Sequence, residues 1–327
     1  MKRIIVFSFL LVLVLLIISG CSPKNNPNDS QGYTKQVINI NASNNYTNIV
    51  LQTIKIKDLL TPLLPGNIVV EWSNMQVGTD YRDAAVAGHL DFLALSAAEA
   101  ITAVENGLPL LLLSNQVVGY VEIYSTKDTI RSLSDLSETS KITVSGKSTT
   151  PHFVFALRCK ELFDDAMIFD DCLVSVPNAD VIGLMQTSND YDAFIMSFPT
   201  CYKIPDDVNY HRIDDFAQIA LNYNAGNYTF TTESFARDNP LFIEAFRKAC
   251  EQAVELLTNE VDEMAVLLAD LYGVDADTTA EVIRQCPPNL KMSGYDDIAN
   301  LMYEMGILSK PPKKFSEFPN YNDIPKE

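Results

Sequence analysis

The chain has 327 residues, 24 of them Lys or Arg and 42 Asp or Glu, for a net charge of −18. Its length suits one large core or two lobes, with two the better expectation. So acidic a body argues against a nucleic-acid partner, since polyanions are repelled by it.

Lys2 and Arg3 precede an apolar run, 4–18, of 15 residues broken only by Ser8. A spanning helix needs about 20 such residues, so the layout is that of a secretory signal. Ile18-Ser19-Gly20-Cys21 resembles the bacterial lipobox, in which the cysteine is lipidated and becomes the new N-terminus. Residues 1–20 are thus expected to be a lipoprotein signal peptide, and 21–35, polar and turn-forming, a flexible tether. The remaining cysteines are Cys159, Cys172, Cys201, Cys250 and Cys286. An odd number leaves at least one thiol outside any disulfide. Without CxxC or Cys/His spacing, structural zinc is not expected, and apolar surroundings point to buried, inert thiols.

From residue 36 the chain alternates strands and helices. A strand is expected at 37–40, a polar loop to Thr47, then an apolar-periodic helix at 48–60, broken by Thr61-Pro62 to Gly66. A β-rich run at 67–72 gives a second strand. Residues 75–79 lead into a short helix through Ala87, and 89–95 form a third strand. Ser96-Ala97-Ala98-Glu99 has the form of a capping box and opens a helix ended by Gly107. Strands follow at 108–113 and 120–124, and a helical turn at 133–136. Lys141 to Phe153, KITVSGKSTTPHF, reads as a strand at 142–144, a small-residue loop and a helix at 151–163 with Thr150 as N-cap. Such a loop aims N–H groups and hydroxyls at one point, which suits a small anion or polar ligand. Further strands at 172–176 and 193–196 flank a helix at 179–185. The remainder is helical: a long helix from Asn239-Pro240 with an apolar face, then 261–271, 279–284 and 295–306, followed by a charged tail rich in proline. The alternation predicts a largely parallel sheet with ligand-binding loops at the carboxyl ends of its strands.

Several segments, taken together, resemble a known family. Gly78-Thr79-Asp80-Tyr81-Arg82-Asp83-Ala84 followed by Ala87-Gly88-His89-Leu90-Asp91 is similar to a segment of the nitrate/sulfonate/taurine and thiamine-precursor solute-binding proteins of ABC importers. Thr129 to Leu136, Asn178-Ala179-Asp180, Tyr191-Asp192-Ala193 with Phe198-Pro199, Asn239-Pro240 and Tyr303 to Gly306 fit the same order, over about 36–310. The resemblance implies an α/β, two-lobed, periplasmic-binding-protein-like fold (type II, a Venus flytrap) with the ligand cleft between lobes. Lobe I would comprise 36–125 and 226–310 and lobe II 126–225, with 311–327 a tail. The chain would cross near 124–129 and return near 221–232.

The implied function is that of a monomeric extracytoplasmic lipoprotein, held to the cell membrane through Cys21. It would deliver a small solute to ABC permease and ATPase subunits. That solute would be a sulfonate, taurine or nitrate-like anion; the alternatives are a pyrimidine or thiamine precursor for the same role, or ligand sensing without transport. An enzyme on this fold, such as the related pyrimidine synthase, would bring a cysteine-rich motif and a lysine-bound cofactor. This chain has no such cysteine run, so no enzymatic role and no cofactor is expected. Cleft candidates are Asn44, Asn45, Tyr46, Thr47, Gly78, Thr79 and Ser96 from lobe I, and Ser145, Lys147, Ser148, Thr149, Thr150 and Phe198 from lobe II. Each has a plainer reading as well. Ser96 and Thr79 also read as N-caps, Lys147 as a solvated lysine, His152 as structural, and Tyr46 as core packing.

Overall fold

A computed structural model describes residues 36–75, 90–105, 110–290 and 294–317. The expected signal peptide, Cys21, the tether, Gly78, Thr79, the helix ending at Ala87, the stop at Gly107 and residues 318–327 lie outside the described residues. In chain order come β1 (Gln36–Asn41), α1 (Ile49–Ile56), β2 (Ile68–Ser73), β3 (Leu93–Ser96), α2 (Ala97–Glu105), β4 (Leu110–Val118) and β5 (Val121–Ser125). Next are β6 (Ile142–Val144), α3 (Thr150–Phe163), β7 (Leu173–Ser175), α4 (Asn178–Thr187) and β8 (Ala193–Ser197). They are followed by β9 (His211–Asp214), α5 (Phe216–Asn222), β10 (Gly226–Thr232) and α6 (Glu233–Asp238). Four helices close the order: α7 (Pro240–Asn259), α8 (Val261–Tyr272), α9 (Ala276–Gln285) and α10 (Tyr295–Glu304).

The strands form a β1-β2 pair, a three-stranded sheet β3-β10-β4 and a five-stranded sheet β7-β6-β8-β5-β9. Strand residues alternate faces with period two, and the apolar residues sort accordingly. Leu110 and Leu112 enter one apolar cluster and Leu111 and Leu113 the other. Ala193 and Ile195 separate from Phe194 and Met196 in the same way. Helices α2, α3, α5 and α10 pack on one face of the sheets, and α1, α4, α7, α8 and α9 on the other. In α7, Phe242, Ala245, Phe246, Ala249, Ala253 and Leu257 form the buried stripe that helical spacing requires. The five cysteines are all buried, and none of them forms a disulfide.

The expected parallel sheet holds only in part. β6 runs parallel to β7 and β8, but β5 lies antiparallel to β8 and β9, and β10 antiparallel to both β3 and β4. β10 comes back from the second sheet and inserts between two strands already laid down, so no crossover helix sets its direction. The chain changes sheet between Val118 and Val121, and returns as β10 begins at Gly226. At that point Gly119 N–H donates to the Ala225 carbonyl at 3.1 Å, setting the two crossings side by side.

Candidate ligand cleft

A cavity of about 420 Å³ is lined by residues from both larger sheets and their loops. Its walls come from the carboxyl ends of β1, β3, β6, β7 and β8, from the crossing at Gly119-Tyr120-Val121, and from Asn227 of β10. The parallel register of β6 with β7 and β8 puts their carboxyl ends on one edge, which is why three of these loops converge there.

The loop after β1 is stiffened by its own polar side chains. Asn45 Nδ2 donates to Ser43 Oγ at 2.8 Å, Thr47 Oγ1 to Asn45 Oδ1 at 2.6 Å, and Asn48 Nδ2 to both Ser43 Oγ and Asn45 Oδ1. Gln52 Nε2 donates to the Ser43 and Asn45 carbonyls while Tyr272 OH donates to Gln52 Oε1. Tyr46 lines the cavity but keeps its hydroxyl away from it: that group is buried against the Cys286 and Val282 carbonyls at 2.6 and 3.2 Å. Burial, with Cys286 and Tyr272 nearby, pushes the Tyr46 phenol far above its ordinary range. The ring also meets Phe198 edge-on, at 5.6 Å between centroids.

At the β3–α2 junction the expected capping box is formed. Ser96 N–H and Ser96 Oγ both donate to Glu99 Oε2 at 2.9 Å, and Glu99 N–H donates back to Ser96 Oγ at 3.3 Å. Both residues line the cavity.

At the β6–α3 junction the N-cap is Thr149, one residue earlier than expected, and its Oγ1 donates to the Gly146 carbonyl at 2.6 Å. Ser145, Thr149 and Thr150 line the cavity, whereas Lys147 and Ser148 are not in its wall. Lys147 Nζ instead reaches Asp170, at 2.6 Å from Oδ2 and 3.0 Å from the carbonyl. Ser148, at φ +65°, donates its N–H to His152 Nδ1 at 3.0 Å, so His152 Nε2 carries the proton given to Asp170 Oδ1 at 2.8 Å. Burial lowers the His152 pKa against the pull of Asp170. Burial alone would raise the Asp170 carboxyl, but Lys147 and His152 hold it below its ordinary value.

Nine of the thirteen candidates therefore share the cavity: Asn44, Asn45, Tyr46, Thr47, Ser96, Ser145, Thr149, Thr150 and Phe198. Glu99, Tyr120, Asn178, Ser197 and Asn227 also line it and were not singled out as cleft residues. The one available signal was position, since Glu99 and Asn178 open helices directly after strands. Asn178 Oδ1 is buried and has no hydrogen-bond partner among the described residues. Among the described lining residues the only charged side chain is Glu99.

No protein-family model matches the chain, and no curated protein sequence matches it. Solved structures do. The periplasmic aliphatic sulphonate-binding protein of Escherichia coli matches at 18% identity over 86% of this chain and 90% of that one, with a TM-score of 0.67. The alkanesulfonate-binding protein of Xanthomonas axonopodis pv. citri, bound to MOPS, matches at 16% identity over 86% and 96%, with a TM-score of 0.70. The nitrate-binding protein of Synechocystis PCC 6803 matches at 12% identity over 86% and 84%, with a TM-score of 0.59. Two sheets joined by a double crossing, with a polar cavity at strand ends, are thus the two-lobed periplasmic-binding-protein fold that sulfonate- and nitrate-binding proteins share.

Proposed function

We propose that the chain is the solute-binding component of an ABC importer, a receptor that captures a small molecule between two lobes and hands it to a membrane permease. The observation that carries this reading is the cavity, walled from both sheets by short hydroxyls, amides and aromatic rings. A ligand touching both walls favours the closed arrangement by as much as its contacts differ between the two states. We take the two lobes to be the units built on the two larger sheets. Lipid attachment at Cys21 belongs to the same reading, because a tethered receptor stays near its permease on the outer face of the membrane. The fold neighbours bring sulfonate and nitrate as solute classes. The rings of Tyr46, Tyr120 and Phe198 in the wall favour a second class, flat heterocycles such as pyrimidines.

The test is a thermal-shift screen of sulfonates, taurine, nitrate and pyrimidines, since a ligand that binds only the folded state raises the melting temperature. At least one compound is expected to raise it and to be recovered chemically unchanged. Turnover of the bound compound would point to an enzyme, and no shift from any compound would count against solute binding.

A further inference from the structure

The wall chemistry narrows the solute. Among the described lining residues there is no lysine, arginine or histidine, and Glu99 carries the one formal charge. Lys147, the nearest basic candidate in sequence, is held by Asp170. Glu99 Oε2 already accepts both Ser96 donors, leaving Oε1 without a donor among the described residues. On the second lobe, Asn178 at the start of α4 lines the same cavity, and its Oδ1 is buried with no hydrogen-bond partner among the described residues. An acceptor left dry and unpaired is costly, so a ligand that supplies a donor is favoured there. The start of α2 is already neutralised by the Glu99 carboxylate, so it offers an incoming anion little. The hydroxyls of Ser145 and Thr150 remain to serve the acceptor atoms of a ligand, since that of Thr149 is given to the Gly146 carbonyl.

Resting on the solute-binding reading above, we infer that the solute carries no net negative charge and presents N–H groups, with one donor to Glu99 on the first lobe and another to Asn178 on the second. Amines, amidines and aminoheterocycles have this chemistry. Nitrate, which only accepts hydrogen bonds, satisfies neither group and meets the carboxylate as a like charge.

The experiment follows thermal unfolding of the full chain in detergent micelles with two sets of probes. Agmatine, histamine and cytosine supply N–H donors without net negative charge; nitrate and methanesulfonate supply anions that only accept. At least one donor probe is expected to raise the melting temperature and neither anion to do so. Glu99→Gln, which keeps an acceptor for the cap, and Asn178→Ala are each expected to weaken that probe at least tenfold. Stabilisation by the anions alone would overturn the inference and leave solute binding standing. Unchanged affinity in both variants would overturn it as well. No shift from any probe would count against both readings.

Discussion

His152 and Glu122 are buried titratable side chains whose partners fix the sign of their effect on stability. His152 accepts the Ser148 N–H at Nδ1, so protonation removes that acceptor. Its folded pKa is lowered, by burial first; the unfolded chain therefore binds the proton more readily, and stability rises with pH across the window. The melting temperature is expected to fall as pH drops below about 6.5, the ordinary histidine value. His152→Gln should flatten that slope, and an unchanged slope would rule His152 out as its source. Glu122 behaves oppositely. Its Oε1 accepts from Tyr120 OH at 3.0 Å and Arg212 Nη1 at 3.3 Å, while Oε2 is buried without a partner among the described residues. Burial raises its pKa despite Tyr120 and Arg212, with Asp215 adding to the rise. Here the folded state holds the proton more tightly, so stability is greatest below the ordinary carboxylate value of 4.5 and is lost as pH rises through the raised one. Glu122→Gln should remove this decline in a series of unfolding curves above pH 4.5, and a decline of the same size in the variant would refute the assignment.

At the scale of elements, β10 carries most of the information that sequence reading did not extract. Its Gly-Asn-Tyr-Thr-Phe-Thr-Thr lacks an aliphatic run, yet Thr229 and Thr231 are fully buried, and Thr231 Oγ1 donates to the Asp91 carbonyl at 2.8 Å. Threonine suits a strand by its branched β-carbon, but its hydroxyl needs a partner 140 residues away, which no local pattern reveals. The βα units were legible because each joins a short apolar strand to a helix with its own start signal, as Ser96 and Glu99 do. The cleft loops were legible for the same reason. Lys147 was read as a cleft candidate because its partner, Asp170, lies 23 residues on, beyond the reach of local pattern. The centrality of β10 is itself testable. A Cβ on Gly226 would press into the Val117 carbonyl, 2.8 Å from its carbon atom, at the start of the seven-pair ladder with β4. Gly226→Ala must push the strands apart, and a loss of about 2 kcal/mol or more is expected in urea denaturation. A loss below about 0.5 kcal/mol would mean that the ladder yields there at no cost.

For the whole molecule the decisive feature is that cleft and crossing coincide. Tyr120, on the first crossing, has its hydroxyl 3.0 Å from Tyr202 OH and 3.2 Å from Gln285 Oε1, in addition to its bond to Glu122. Tyr202 follows β8 of the five-stranded sheet, whereas Gln285 ends α9; both elements border the apolar cluster that takes in α1 and α7. Phe198 joins the same junction, with Tyr46 and Tyr272 edge-on at 5.6 and 5.1 Å between ring centroids. If one sheet unit rotates against the other, these residues lie where the chain crosses between them, so a ligand in the cavity beside them would bias that rotation. Gly119 lies in the crossing and in the cavity wall at once, and a Cβ there would meet Thr150 Cγ2 at 3.1 Å. That contact is with a side-chain methyl, which can shift, so Gly119→Val should fold. Its extra methyl groups would intrude on the ligand space and wedge the crossing against α3. The expected outcome is a melting temperature within a few degrees of wild type and about tenfold weaker binding, or about 1.4 kcal/mol, of whichever probe stabilises the parent protein. In small-angle scattering the compaction expected of the parent on binding should shrink in the variant. Full affinity and full compaction in Gly119→Val would separate the cleft from the crossing and remove the link between capture and closure.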